Sequence, residues 1–118
     1  MRILVVDDEQ LITDTICAIL NECGFDAVGA YSGAEALEAA AIYQPQIVLT
    51  DVMMPRMSGV ELGIQLRNLY PQTKVILFSG QVATSGMLQR AQADGHRFDL
   101  IPKPIHPRDL IARLKTLA

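Results

Sequence analysis

Short runs of apolar residues alternate along the chain with longer stretches in which apolar residues recur every three or four positions. Consecutive apolar residues are typical of strands buried on both faces, whereas the wider spacing is typical of amphipathic helices. The pattern predicts strands and helices in alternation. The predicted strands are Ile3–Val6, Phe25–Ala30, Ile47–Thr50, Val75–Phe78 and Leu100–Ile101.

Residues that begin and end helices separate these strands. Gly24 is placed to end the first helix, Ser32 with Glu35 forms a capping box before the second, and Pro107 fits the first turn of the fifth. The start of the fourth helix is weak, because residues 84–86 are poor helix formers. The predicted helices are Leu11–Cys23, a second from Ser32 to about Tyr43, Val60–Leu69, Val82–Ala93 and a fifth beginning near Pro107.

Length and composition fit one globular domain over residues 1–118. Half of the residues are hydrophobic and 19% are charged, which is enough for one core without disulfides. Alternating strands and helices predict an α/β fold, with a doubly wound parallel sheet and right-handed crossovers.

Charge and cysteine content narrow the possible partners. The net charge is −3 and the ten Lys and Arg residues are scattered, so we expect no nucleic-acid binding by this chain alone. Cys17 and Cys23 lack a metal-ligand spacing and are expected to be free thiols. The apolar run Ile3–Val6 is too short for a signal peptide or a membrane span. These features predict a cytoplasmic protein without a membrane partner.

Polar side chains follow four of the predicted strands. Asp7 and Asp8 follow the first strand, Asp51 the third and Ser79 the fourth, while Lys103 comes shortly after the fifth. Ligands of open parallel sheets bind beyond the carboxyl ends of the strands. We therefore expect these five residues to gather at one edge, although Asp8 alone could be a helix cap and Lys103 a solvated loop residue.

Three carboxylates at one edge repel each other, and burial adds to the cost of ionising them. Mg²⁺ resolves this repulsion, because it prefers one or two carboxylates together with water and a phosphate oxygen. Asp51 is the better nucleophile, since Asp7 and Asp8 are neighbours placed to hold the metal together. The pattern predicts a metal-assisted phosphoryl acceptor.

The chain resembles the receiver domain of two-component response regulators over essentially its whole length. The segments that carry the resemblance are Val5–Glu9, Leu49–Pro55 with Met57–Gly59, Phe78–Gly80 and Lys103–Pro104. The resemblance implies a flavodoxin-like (βα)5 fold, in which a five-stranded parallel sheet has the order 2-1-3-4-5. It also implies a signalling domain that catalyses only its own phosphotransfer and autodephosphorylation, rather than an enzyme with a separate substrate.

The resemblance assigns a role to each acidic residue. Asp51 would accept a phosphoryl group from the phosphohistidine of a sensor histidine kinase or a histidine phosphotransfer protein. Asp8, Asp51 and the backbone carbonyl of Met53 would bind Mg²⁺, and Asp7 would act mostly through a bound water.

The remaining family positions imply how the signal arises. Ser79 and Lys103 would bind the phosphoryl oxygens, Gly80 would leave room for the phosphodonor, and a cis peptide would join Lys103 to Pro104. Phosphorylation would then alter the surface formed by the fourth helix, fifth strand and fifth helix, which would contact a downstream protein.

One position departs from the family pattern. Three residues before the lysine the family usually has Tyr or Phe as a switch, whereas this chain has Leu100. Phe98 lies two residues earlier and is expected on the same face of the strand. We expect intact chemistry at Asp51, with a signal that travels by backbone and helix shifts.

Three alternatives stay open at this point. A degenerate receiver would serve only as an interaction module, with Leu100 as its support. A nucleotide- or flavin-binding protein would need a glycine- or hydroxyl-rich loop where this chain has Asp7-Asp8-Glu9. A two-aspartate phosphohydrolase would carry its nucleophile on the first strand. Whether the chain acts alone or as the receiver of a longer protein is also open.

Overall fold

The computed structural model describes residues 1–79, 85–96, 98–103 and 105–117, with only the backbone described for residues 85–88. Within these ranges, strands and helices alternate as predicted. They are β1 Arg2–Val6, α1 Gln10–Glu22, β2 Asp26–Ala30, α2 Gly33–Tyr43, β3 Ile47–Asp51, α3 Gly59–Leu69, β4 Lys74–Ser79, α4 Ser85–Ala93, β5 Asp99–Pro102 and α5 Pro107–Leu117.

The strands form one parallel sheet in the order β2-β1-β3-β4-β5. The predicted fold class and strand order are therefore confirmed. The predicted start of the fourth helix at Val82 lies outside the described residues. None of the described helices is both long enough and apolar enough to cross a membrane.

The sheet separates two apolar layers, which explains why its central strands have no polar face. Helices α1 and α5 cover one side, called the α1/α5 face, where the core includes Ile3, Val5, Leu20, Leu49, Ile76, Phe78, Ile101 and Leu114. Helices α2, α3 and α4 cover the other side, where the core includes Leu4, Val6, Ala36, Val48, Leu62, Leu66, Leu77 and Ala91. The carboxyl ends of the strands emerge between these layers.

Side-chain caps fix where two of the helices begin. The Ser32 hydroxyl accepts a hydrogen bond from the Glu35 amide at 3.1 Å, which confirms the predicted start of α2. The Ser58 hydroxyl accepts one from the Glu61 amide, also at 3.1 Å, so that α3 begins one residue before the predicted position. The cap position of α1 is Glu9 and it makes no side-chain cap bond, so the interpretation of Asp8 as a cap is wrong.

The start of α3 packs directly on the end of β3. The Gly59 amide donates a hydrogen bond to the Val52 carbonyl at 2.8 Å. A Cβ atom at position 59 would overlap the carbonyl oxygen of Asp51. Glycine is therefore required here because two backbones approach closely, and this contact fixes the backbone of Asp51.

Replacing Gly59 with alanine should strongly destabilise the fold, because either α3 or the end of β3 must move. We expect the free energy of unfolding to fall by about 3 kcal/mol, at the upper end for overpacking substitutions. Chemical denaturation measures this change. The control is Gly24→Ala, where a Cβ meets no atom but φ is +93°, so that the cost is only about 1 kcal/mol. Equal losses in the two variants would contradict the proposed contact.

Candidate functional site

Three carboxylates meet where β1 and β3 end. The two strands are neighbours, with Val6 opposite Thr50 in the register, so the residues that follow them emerge side by side. One carboxylate oxygen from each of Asp7, Asp8 and Asp51 lies within 4.8 Å of the other two. The side chain of Asp7 is 3% exposed and that of Asp51 is 13% exposed, whereas Asp8 faces solvent.

Asp7 is held in place by several hydrogen bonds. Its side-chain Oδ1 accepts one from the Glu9 amide at 3.0 Å, and its carbonyl accepts one from the Thr13 hydroxyl at 2.8 Å. Thr13 is fully buried in α1, so it anchors the first turn of that helix to the end of β1. Thr13 is a site residue that sequence reasoning misses, because its only signal is a hydroxyl among the apolar positions of the first helix.

Lys103 follows the edge strand β5, two strands away from β3, and brings positive charge to the acidic cluster. Its ammonium donates hydrogen bonds to Oδ1 of Asp51 at 3.0 Å and to Oδ2 of Asp7 at 3.3 Å. Its backbone amide donates to the Ser79 carbonyl at 2.9 Å, which extends the pairing of β4 and β5. The lysine is therefore a fixed bridge between strand ends rather than a solvated loop residue.

Ser79 and Met53 complete the set of predicted site residues. Ser79 is the last residue of β4 and is buried, one position beyond Phe78, the partner of Asp51 in the register. Met53 follows β3 and is 54% exposed. The structure thus brings all of these residues to the same edge of the sheet. The predicted role of Gly80 and the predicted cis peptide before Pro104 lie outside the described residues.

The pKa values of Asp51 and Lys103 are both raised. Burial raises the pKa of Asp51, and repulsion from Asp7 adds to this effect, although the Lys103 ammonium opposes both. Burial alone would lower the pKa of Lys103, but the hydrogen bonds and charges of Asp51 and Asp7 more than offset it and raise the pKa. Three carboxylates face one ammonium, so the cluster as a whole is not fully neutralised.

The donor set suits a hard divalent cation. Carboxylate oxygens are the ligands that Mg²⁺ prefers, and the mixture of buried and exposed carboxylates leaves room for water ligands. A second positive charge would also relieve the repulsion between Asp7 and Asp51, which adds to the effect of burial in raising the pKa of Asp51. The residues present therefore fit a metal site.

Comparison with known proteins identifies the family. The family model of the response regulator receiver domain matches residues 3–115. This chain belongs to the response regulator receiver domains. The response regulator MprA of Mycobacterium avium is 33% identical over 117 residues, which are 99% of this chain and 50% of that protein. The chain therefore spans about half the length of the curated relatives it matches.

Solved receiver structures share the whole fold. The chemotaxis protein CheY4 of Vibrio cholerae superposes with a TM-score of 0.87 at 26% identity, covering 99% of this chain and 98% of that chain. A two-component transcriptional regulator, AraC of Clostridium phytofermentans, has a TM-score of 0.81 at 36% identity, covering 98% and 90%. Membership in this family argues against the nucleotide-binding and phosphohydrolase alternatives.

Neither Leu100 nor Phe98 takes the place of the aromatic switch of the receiver family. Leu100 is 39% exposed on β5, and its carbonyl accepts a hydrogen bond from Arg113 of α5 at 3.3 Å. Phe98 precedes β5, packs against Gly63 of α3 and lies beneath the Arg67 guanidinium, 4.0 Å from the ring centroid. Because Phe98 lies at the amino end of β5 and Lys103 follows its carboxyl end, the ring cannot substitute for the missing switch.

Asp51→Asn should stabilise the metal-free protein at neutral pH. Because the pKa of Asp51 is raised above its ordinary 3.8, ionising this carboxyl costs the folded state more than the unfolded chain. The contribution of Asp51 to stability is therefore fully present below pH 3.8 and is lost as the pH rises through the folded pKa. We expect a gain of about 1 kcal/mol at pH 7, or roughly 4 °C in Tm.

Thermal melts in EDTA from pH 3 to pH 8 measure this effect, and the gain should vanish at the acidic end. The control is Glu38→Gln, which removes the same charge from an exposed position on α2. A gain of the same size in Glu38→Gln would show that only net charge matters. A loss of stability in Asp51→Asn at pH 7 would contradict the direction of the pKa shift.

Proposed function

We propose that this receiver domain accepts a phosphoryl group on Asp51 from the phosphohistidine of a sensor histidine kinase or a histidine phosphotransfer protein. The observation that carries the proposal is the bridge from Lys103 to Asp51 and Asp7, within a cluster whose carboxylates lie within 4.8 Å. Phosphoryl transfer depends on positioning the reactants and on stabilising the negative charge of the phosphoryl oxygens. A phosphoryl acceptor therefore needs positive charge beside its carboxylate, which an ammonium and a metal ion would supply here.

Some of the acidic residues would bind the metal directly and one would bind it through a water molecule. Asp8, Asp51 and the backbone carbonyl of Met53 would bind Mg²⁺ directly, while the buried Asp7, fixed by the Glu9 amide and Thr13, would act mostly through a water. A bound Mg²⁺ supplies neutralising charge to the phosphoryl oxygens. Asp51 keeps an oxygen available for attack on phosphorus because it lies at the end of β3 with its side chain partly exposed.

Lys103 and Ser79 would bind the phosphoryl oxygens during transfer. The ammonium of Lys103 already lies 3.0 Å from Oδ1 of Asp51, so a small movement would place it on an oxygen of the acyl phosphate. Ser79 ends the neighbouring strand and would offer its hydroxyl to a second oxygen. Water would later attack the same phosphorus, so that the domain limits the lifetime of its own signal.

The phosphorylated state would be read through the surface formed by α4, β5 and α5. The apolar side chain of Leu100 is partly exposed at its centre, and Arg113 ties the backbone of β5 to α5. Phosphorylation would shift the equilibrium between two conformations of this surface, and a downstream protein would bind one of them in preference to the other. We place this function in the cytoplasm, where a kinase would supply the phosphoryl group.

The direct test is intact mass after incubation with Mg²⁺ and acetyl phosphate. We expect one phosphoryl group on the wild type, none on Asp51→Asn, and none on the wild type when EDTA is added first. Asp14→Asn is the matched control, because Asp14 is an exposed aspartate of α1 that accepts a hydrogen bond from Tyr31. An adduct that persists in Asp51→Asn would contradict the proposed acceptor.

If no adduct forms, a titration with beryllofluoride separates two explanations. A fast autophosphatase should bind this phosphate mimic, whereas a degenerate interaction module should not. Failure of the wild type to bind the mimic in the presence of Mg²⁺ would overturn the proposed function.

Mg²⁺ should also stabilise the folded protein, because it binds the native cluster and not the unfolded chain. The gain should grow with the logarithm of metal concentration and reach about 2.7 kcal/mol at one hundred times the Kd. Thermal melts at neutral pH measure it, with Asp51→Asn expected to respond more weakly. No change in Tm at saturating Mg²⁺ would count against the metal site.

A further inference from the structure

Phe78 lies between the phosphoryl acceptor and the lysine that reaches it. In the register of the sheet, Phe78 of β4 pairs with Asp51 of β3 on one side and with Ile101 of β5 on the other. Lys103 comes two residues after Ile101 and so starts from the same face of β5. To reach Asp51 from there, its side chain must cross the strand that carries Phe78.

The distance that Lys103 covers explains why it needs support. Neighbouring strands lie about 4.8 Å apart, so β5 and β3 are separated by roughly 10 Å. The ammonium ends its crossing 3.0 Å from Oδ1 of Asp51 and 5.0 Å from the centroid of the Phe78 ring. This separation is within the range of an attractive cation–π contact, which strengthens when the cation is withdrawn from water.

The surroundings of the ring are apolar. Phe78 is 8% exposed, and together with Lys103 it lines a cavity of about 440 Å³ between α1 and the start of α5. The other residues around this cavity include Ile12, Ile16, Ile105 and Leu110. In such a setting the negative face of an aromatic ring attracts an ammonium, whereas an aliphatic side chain of similar size does not.

We propose that Phe78 is a positioning residue, whose ring holds the ammonium of Lys103 in its bridge to Asp51 and Asp7. Two of the three ammonium donors are used by the carboxylates, and the ring stabilises the charge from a third side. The effect on phosphotransfer rests on the proposed function of Asp51, but the effect on Lys103 itself does not.

The first test measures how firmly Lys103 is held, using reductive methylation of the protein in EDTA followed by peptide mass analysis. The chain has only two other lysines, Lys74 and Lys115, and both are exposed internal references. We expect Phe78→Leu to speed the modification of Lys103 about three- to tenfold, given the strength of cation–π contacts. Phe78→Tyr, which keeps the ring, should stay within about twofold of the wild type.

A matched control removes a different ring. Phe98→Leu deletes the ring beneath Arg67, 4.0 Å from its guanidinium, and should leave the modification of Lys103 unchanged. Thermal melts verify that each variant is folded, and Phe78→Met replaces Phe78→Leu if the latter does not fold. The proposal is overturned if the folded variant without the ring methylates Lys103 at the wild-type rate. It is also overturned if Phe78→Tyr reacts as fast as the variant without the ring. Either result would leave Phe78 as a core residue only.

The second test measures phosphorylation by acetyl phosphate. Phe78→Leu should lower the maximal rate by a similar factor, with Phe78→Tyr restoring it, because Lys103 would act on oxygens that gain charge during transfer. The two tests fail separately. A wild type that neither forms an adduct nor binds beryllofluoride would overturn the function of Asp51, while the methylation result would still decide the role of Phe78. An unchanged methylation rate would overturn only the role of Phe78.

Discussion

The bridge from Lys103 to Asp7 and Asp51 is the interaction on which the site depends. Three carboxylates at the end of an apolar sheet repel each other, and burial of Asp51 makes that repulsion more costly. The ammonium is the positive charge that the fold itself supplies, since it lies 3.0 Å from Asp51 and 3.3 Å from Asp7. The bridge does not neutralise the whole cluster, and for this reason the three carboxylates fit a divalent cation.

The strand order makes this bridge possible. Asp7 and Asp51 lie together only because β1 and β3 are neighbours, although more than forty residues separate them in the chain. Lys103 follows β5, two strands away from β3, so its long side chain has to span β4. The close contact between Gly59 and the carbonyl of Asp51 then fixes the backbone of Asp51. The chemistry of the edge therefore follows from the topology of the sheet.

Much of this arrangement could be predicted from the sequence, because apolar runs fix the strands and the residues that follow them must meet at one edge. Contacts that depend on the register of the strands and on long side chains could not be predicted in this way. The anchoring of Asp7 by Thr13 and the support of Lys103 by Phe78 both require knowing which residues face each other. Phe98 shows the same limit. Its face and its separation from Lys103 could be predicted from the sequence, but its packing on α3 beneath Arg67 could not.

Because position 100 is leucine and not the aromatic switch of the family, a signal would travel through the backbone. The Lys103 amide donates to the Ser79 carbonyl, so a movement of the lysine toward a phosphoryl group would act on the ends of β4 and β5 together. On β5, the Leu100 carbonyl accepts a hydrogen bond from Arg113, and under the proposed function a shift of that strand would reach α5 through this bond. A hydrogen bond to a carbonyl does not depend on the side chain at position 100. Under the proposed function, leucine there is compatible with signalling because the route to α5 uses the main chain of β5 rather than a rotating ring.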